Sequence, residues 1–204
     1  MNKYLDGKLM RVSHSVEIDY GHVCVDGDLL QLSTHGGDML KEVYHQYIGG
    51  YAKFFKMDSL CRLGFVATEL LLRQEGERHF DAKGRVPEEE GREDRAIVLM
   101  GRTGSLRSDE AHVKSISDTT EFFPSPAVFV YTLPNIVTGE IAIRNRYYGE
   151  TAFYGLPEEN EEAIAAICEE TFLDDMTDSI ILGWVDYPDE QQMKAKLYII
   201  ERNK

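Results

Sequence analysis

Apolar positions along this chain follow two rhythms, and the switches between them mark its elements. Leu9, Val12, Val16 and Ile18, then Val23 and Val25 before Asp26-Gly27-Asp28, alternate loosely with polar neighbours, which predicts strands joined by short turns. From Met39 the spacing lengthens. Met39, Leu40, Val43, Tyr44, Tyr47 and Ile48 form a helical stripe closed by Gly49-Gly50. A stronger helix starts at Asp58, whose side chain can accept from free backbone N–H groups. It lines Leu60, Leu63, Gly64, Ala67, Leu70 and Leu71 along one side.

Residues 75–94 break the pattern with Gly76, Gly84, Pro87, Gly91 and the acidic run Glu88-Glu89-Glu90, which predicts a solvated, mobile loop. The apolar run Ala96-Ile97-Val98-Leu99-Met100 then enters Gly101-Arg102-Thr103-Gly104-Ser105, as a doubly buried parallel strand enters its carboxyl-end loop. Asp109 to Thr120 reads as a weak helix, diluted by Ser115, Ser117 and Thr119. After Val128-Phe129-Val130-Tyr131, Thr132 can cap a helix whose first turn tolerates Pro134 and which runs towards Arg146. Thr151 to Tyr154 reads as a strand that Gly155-Leu156-Pro157 turns into a helix opening at Glu158, with Ile164, Ile167, Cys168 and Phe172 inward. Ser179 to Val185 and Lys196 to Ile200 complete the strands. Strands alternating with helices predict an α/β protein, a layered sheet flanked by helices on both faces.

Length and charge narrow the function. A chain of 204 residues suits a single domain spanning 1–204. Thirty-six acids against 22 bases give a net charge of −14, which repels phosphate backbones and anionic headgroups, so no nucleic acid is expected as partner. No apolar run approaches the roughly 18 residues of a membrane span, and the polar N-terminus lacks the pattern of a secretory signal, so a cytoplasmic protein is expected. Cys24, Cys61 and Cys168 are far apart and form no C-x-x-C pair, which suggests reduced thiols rather than a disulfide framework or a zinc site. The six histidines are scattered through different elements, and no metal or cofactor is expected. The Gly101–Gly104 loop lacks the Lys-Ser/Thr of a P-loop and the three glycines of a dinucleotide fingerprint, so it reads as a turn.

One stretch resembles a known family. Ser125-Pro126, Thr132-Leu133-Pro134-Asn135, Gly139-Glu140-Ile141-Ala142-Ile143 and Gly149 resemble the approach of β-ketoacyl-ACP synthases to their catalytic elbow. Lys56-Met57-Asp58, with Leu63, Ala67 and Glu69, resembles that family's early Met-Asp helix, so the likeness runs from about Lys56 to about Asp186. It implies the first half of a thiolase-like fold. It also implies an elbow presenting a nucleophilic cysteine at a helix N-terminus, where aligned peptides favour thiolate. Carried without gaps from Gly149, the register puts Glu158 where that cysteine would stand. Gly155, Leu156 and Pro157 lead into the elbow, with Thr132, Pro134 and Asn135 beside it. Cys168 lies ten residues on, roughly 15 Å down a helix, too far to substitute.

The chain stops at Lys204, near the end of the first half in that register, so the resemblance also implies that the two histidines of the later half are missing. The function implied is a synthase-like pseudoenzyme, such as a chain-length factor, in fatty-acid, polyketide or aryl-polyene type biosynthesis. Its expected partner is a second copy or a full-length ketosynthase. A sheet face left bare by the missing half would supply an apolar interface, and Tyr147, Tyr148, Phe153 and Tyr154 are candidates for it. An acyl carrier protein is itself acidic and would need a local basic cluster, for which Arg102, Arg107, Arg144 and Arg146 are the candidates. The alternatives are an enzyme of different acyl chemistry using Glu158 as acid or base, and a fold remnant whose role is interaction alone. A carboxylate at a helix N-terminus is held ionised, which makes it a weak base.

Overall fold

A computed structural model describes Leu5 and residues 10–117 and 125–203. Its seven strands are β1 (Met10–Ile18), β2 (Val23–Val25), β3 (Asp28–Leu29), β4 (Arg95–Gly101), β5 (Thr151–Gly155), β6 (Ser179–Asp186) and β7 (Lys194–Arg202). They form one mixed sheet in the order β3-β2-β1-β7-β6-β4-β5. β4 runs parallel to both β5 and β6, whereas β7 runs antiparallel to β6 and to β1. The α/β expectation holds, with helices on both faces.

One face carries Ile97, Leu99, Ile181, Val185, Leu197, Ile199, Val16 and Ile18 and is covered by α1 (Gly36–Val43), α2 (Ser59–Gln74) and α5 (Ile136–Asn145). The other carries Ala96, Val98, Met100, Ile180, Leu182, Trp184 and Ile200 and is covered by α6 (Glu161–Thr171) through Ile164, Ala165 and Cys168. These two sets alternate along β4 and β6, as the period of two of a strand requires, and every residue of both strands is buried.

α2 lies between the sheet and α5, which is why it is apolar nearly all round and buries even Thr68 and Glu69. Asp58 caps it as expected, accepting from the Cys61 backbone N–H at 2.8 Å. The two helices approach closely at Gly64, where an added Cβ would stand 2.5 Å from Val137 Cγ2.

Several elements differ from the pattern read in the sequence. The helical stripe over 39–48 divides into α1 and a π-helical turn, Tyr44–Ile48, before Gly49. Val128–Tyr131 belongs with a short helix, α4 (Pro126–Val130), opened by Pro126 at its first position. The weak helix is α3 (Leu106–Ile116), one turn earlier than expected, and the expected end at residues 118–120 lies outside the described residues. The 75–94 loop is anchored at two points: Val86 is buried and its N–H donates to the Arg144 carbonyl at 2.9 Å, and the Arg92 N–H donates to the Arg146 carbonyl at 2.9 Å.

The start of β4 is fixed by Arg95, which is 1% exposed. Its guanidinium donates to both Glu75 carboxylate oxygens at 2.5 Å, to Ser179 Oγ at 2.9 Å and to the Tyr147 hydroxyl at 3.4 Å. Burial opposes ionisation of Glu75, but the bonds from Arg95 outweigh it and hold this carboxyl below the usual range.

Gly64→Ala is expected to destabilise the fold by about 1–3 kcal/mol, because overpacking at the α2–α5 crossing outweighs the helix-propensity gain. Urea unfolding checks this. Adding Val137→Ala to that variant should restore part of the loss.

Candidate functional site

Three segments from the sequence reading meet at the carboxyl ends of the parallel strands β5, β4 and β6, where open α/β sheets place ligand crevices. The loop after β4 is tied to β6 through Asp186, whose Oδ1 accepts from Thr103 N at 2.8 Å and Thr103 Oγ1 at 2.6 Å. The elbow after β5 is tied to β4 by Leu156 N donating to Gly101 O at 3.0 Å. The Thr132–Asn135 turn packs on the same loop, Pro134 lying 3.5 Å from where a Gly104 Cβ would be. Gly101 has to be glycine here, because a Cβ would stand 2.4 Å from the Val185 carbonyl oxygen.

Glu158 does sit in a β-to-α bend, but it is exposed and lies outside the helix. α6 opens at Glu161, three residues later than expected, because Asn160 takes the capping position and accepts from Glu162 N and Ala163 N at 3.0 Å each. The free N–H groups of the helix therefore serve Asn160 and not Glu158. Pro157 and Gly155 are also exposed, and Leu156 is half-buried against the cluster beneath α6. Thr132 does not cap α5 either. Its hydroxyl donates back to the Phe129 carbonyl at 2.7 Å, leaving Pro134 ahead of the helix and Asn135 at its cap position without a side-chain bond.

No thiol reaches the elbow. Cys61 is buried in α2, and burial followed by Asp58 raises its pKa well above the ordinary value. Cys168 is buried with its Sγ 3.5 Å from Met10 Sδ, and burial pushes its pKa up to about 12. Cys24 lies on β2, separated from β5 by four strands in the sheet order and outside the β5–β4–β6 rim. Among the described residues no group of three or more His, Cys, Asp or Glu side chains is placed to hold a metal, and no helix is long and apolar enough to cross a membrane.

The four candidate carrier-contact arginines do not converge. Arg102 and Arg107 follow the carboxyl end of β4. Arg146 is the left-handed residue that ends α5, and its carbonyl accepts from Arg92 N near the opposite end of β4, about 20 Å away along that strand. Arg144 is buried, 1% exposed, beneath the Phe80 ring. Arg107 instead lines a cavity of about 450 Å³ with Lys56, Arg62, Asp58, Ser108 and Tyr131, at the start of α2. Ser108 Oγ donates to Asp58 Oδ2 at 2.6 Å, and the Tyr131 hydroxyl donates to Glu140 Oε1 at 3.0 Å. Burial, then Glu140, raises the Tyr131 pKa, so this phenol stays protonated. The sequence signalled Asp58 only as a cap; the long-range approach of α3 and α4 to the start of α2 carried no local pattern.

Among the described residues the expected bare apolar sheet face is not found: α1, α2 and α5 cover one face and α6 the other, and the side of α6 turned to solvent carries Ala166, Glu169 and Glu170. Of the four aromatic candidates, Tyr147 is core beneath Arg95, Phe153 is half-buried, and Tyr148 and Tyr154 are exposed beside β5. Among the described residues β5 pairs only with β4, which leaves its outer edge open.

Solved structures share this fold. Over 95% of its length the chain superposes on 62% of a chain of the ishigamide ketosynthase/chain length factor, at a TM-score of 0.62 and 18% identity. It matches 80% of a chain from the Xenorhabdus doucetiae ketosynthase ApeO in complex with its chain length factor ApeC, over 97% of its own length, at 0.57 and 14% identity. The fold is that of ketosynthases and chain length factors. A third ketosynthase-fold match comes from the AntDE:AntF complex of a type II polyketide synthase acyl-carrier protein with its ketosynthase; it covers 97% of this chain and 63% of that one, at 0.56 and 11% identity. The chain thus spans somewhat under two thirds of two of these ketosynthase-fold chains. No protein-family model and no curated protein matches the sequence. At these identities the likeness establishes the fold.

Replacing Asn160 with Ala should cost about 1 kcal/mol through loss of the cap, whereas Glu158→Ala should stay within about 0.5 kcal/mol. Thermal and urea unfolding of the two variants distinguish them.

Proposed function

We propose that this chain is a non-catalytic, chain-length-factor-like partner of a full-length ketosynthase in polyketide, fatty-acid or aryl-polyene type biosynthesis. The observation that carries this reading is the elbow: a ketosynthase fold in which the bend after β5 presents an exposed Glu158, while Cys61 and Cys168 are buried elsewhere with raised pKa values. A thiol held in its neutral form inside a core is no nucleophile. An exposed carboxylate is poorly placed for general acid–base work.

The partner surface we assign is the outer edge of β5 with Tyr148 and Tyr154. An unpaired strand edge is a ready template for another chain, and Tyr148 is 55% exposed beside it. An acidic carrier protein fits Lys56, Arg62 and Arg107 at the start of α2 better than the dispersed arginines, because these three cations line one cavity.

Co-expression with a full-length ketosynthase from the same source, followed by light scattering, should give a stable heterodimer. Tyr148→Asp combined with Tyr154→Asp should weaken it about tenfold or more while leaving the chain folded. Separate migration of the two proteins, or turnover of malonyl-loaded carrier by this chain alone that disappears in Glu158→Ala, would overturn the reading.

A further inference from the structure

A second cavity, of about 450 Å³, lies on the opposite side of the molecule from the elbow-side loops, between the carboxyl end of α2, the π-helical turn and the end of α5. Its wall includes Arg73, Arg78, Arg144, Glu69, Phe80 and Tyr47. Glu69 is 1% exposed and already satisfied: Oε2 accepts from Arg78 Nη2 at 2.9 Å and Oε1 from Asn145 Nδ2 at 3.0 Å. Arg78 closes this set by donating Nη1 to Asn145 Oδ1 at 2.6 Å. Arg144 is left over. It is also 1% exposed, its Nε stands 3.6 Å from Glu69 Oε2, and neither Nε nor Nη1 has a hydrogen-bond partner.

A buried guanidinium with two unmatched nitrogens is costly unless something else completes it. Arginine stays charged even where burial lowers its pKa, as it does here against the pull of Glu69. Two aromatic rings flank Arg144: Tyr51, with its centroid 5.0 Å from Cζ, and on the cavity side Phe80, at 3.9 Å. The Phe80 ring is 39% exposed and belongs to the loop after α2, so it can leave without opening the core. Arg73 is committed in part to the Tyr47 carbonyl, which fixes the π-helical turn as the facing wall.

We propose that this cavity binds a small organic monocarboxylate, its carboxylate meeting Arg144 once Phe80 swings aside and its apolar body resting against Tyr47 and Ile48. Charge selects this class. Arg73, Arg78 and Arg144 against Glu69 and Glu77 leave one positive charge in the wall. A monoanion neutralises that charge, whereas a phosphate dianion overcompensates it between two carboxylates. The site is separate from the β5 edge and does not depend on the proposed partner role.

The test is fluorine NMR of 4-fluorobenzoate titrated into the full chain, with isothermal calorimetry on benzoate. One saturable site per chain is expected, with inorganic phosphate failing to displace the probe. Arg144→Met should lower affinity about tenfold or more, as loss of a charged hydrogen bond does. Glu77→Gln, an exposed change that leaves the core untouched, should raise affinity at low salt, so the proposal remains testable if Arg144→Met does not fold. Phe80→Ala should bind at least as tightly as the wild type. Absence of saturable binding in both the wild type and Phe80→Ala would overturn the proposal. So would an affinity unchanged by Glu77→Gln at low salt, or displacement of the probe by equimolar phosphate.

Discussion

The parallel pairing of β4 on both its sides is the constraint on which the rest of the structure depends. All seven residues of that strand are buried, and each large apolar side chain so placed contributes about 1.5–3 kcal/mol relative to exposure. Because β5 and β6 both run alongside it in the same direction, the chain segments that follow all three strands emerge at one rim. The rim needs a glycine at 101 to close against Val185, and the opposite end needs a cation at Arg95 held by Glu75 and Ser179. The position of the elbow follows from this pairing, and its chemistry does not.

At the elbow the chemistry is set by who occupies the helix end. A nucleophile there would use the unpaired N–H groups of α6, but Asn160 accepts from two of them. Glu158 is carried outward on the turn. The sulfur atoms of Cys61 and Cys168 serve the two cores, one on each face of the sheet. The same rim that would assemble a reaction centre here assembles a stable bend beside a strand edge that is open among the described residues, the edge we propose for a partner.

Much of the fold was legible because period-two and period-3.6 patterns are local. The buried run 96–100, the glycine stop at 49–50 and the Asp58 cap each read correctly from a few neighbouring residues. The errors fell where competing hydrogen bonds decide. Thr132 had two uses within reach, the cap of α5 or the Phe129 carbonyl, and the geometry of α4 settled it. Glu158 and Asn160 could both have started α6, and the shorter side chain won. The grouping of arginines was illegible for another reason: residues 144 and 146 are neighbours in sequence, yet one is buried beneath Phe80 and the other ends a helix. The α6 surface taught the same lesson, since Glu169 and Glu170 mark it as solvent-facing and no bare sheet face remains on that side.

Hydrogen–deuterium exchange of the chain, alone and mixed with a full-length ketosynthase from the same source, probes the proposed partner role at the surface assigned to it. A scaffold partner should gain protection at Thr151–Gly155 and around Tyr148, with the β1–β2 hairpin unchanged. Exchange at β5 that stays the same in the mixture, under conditions where the ketosynthase is folded and in excess, would contradict that role.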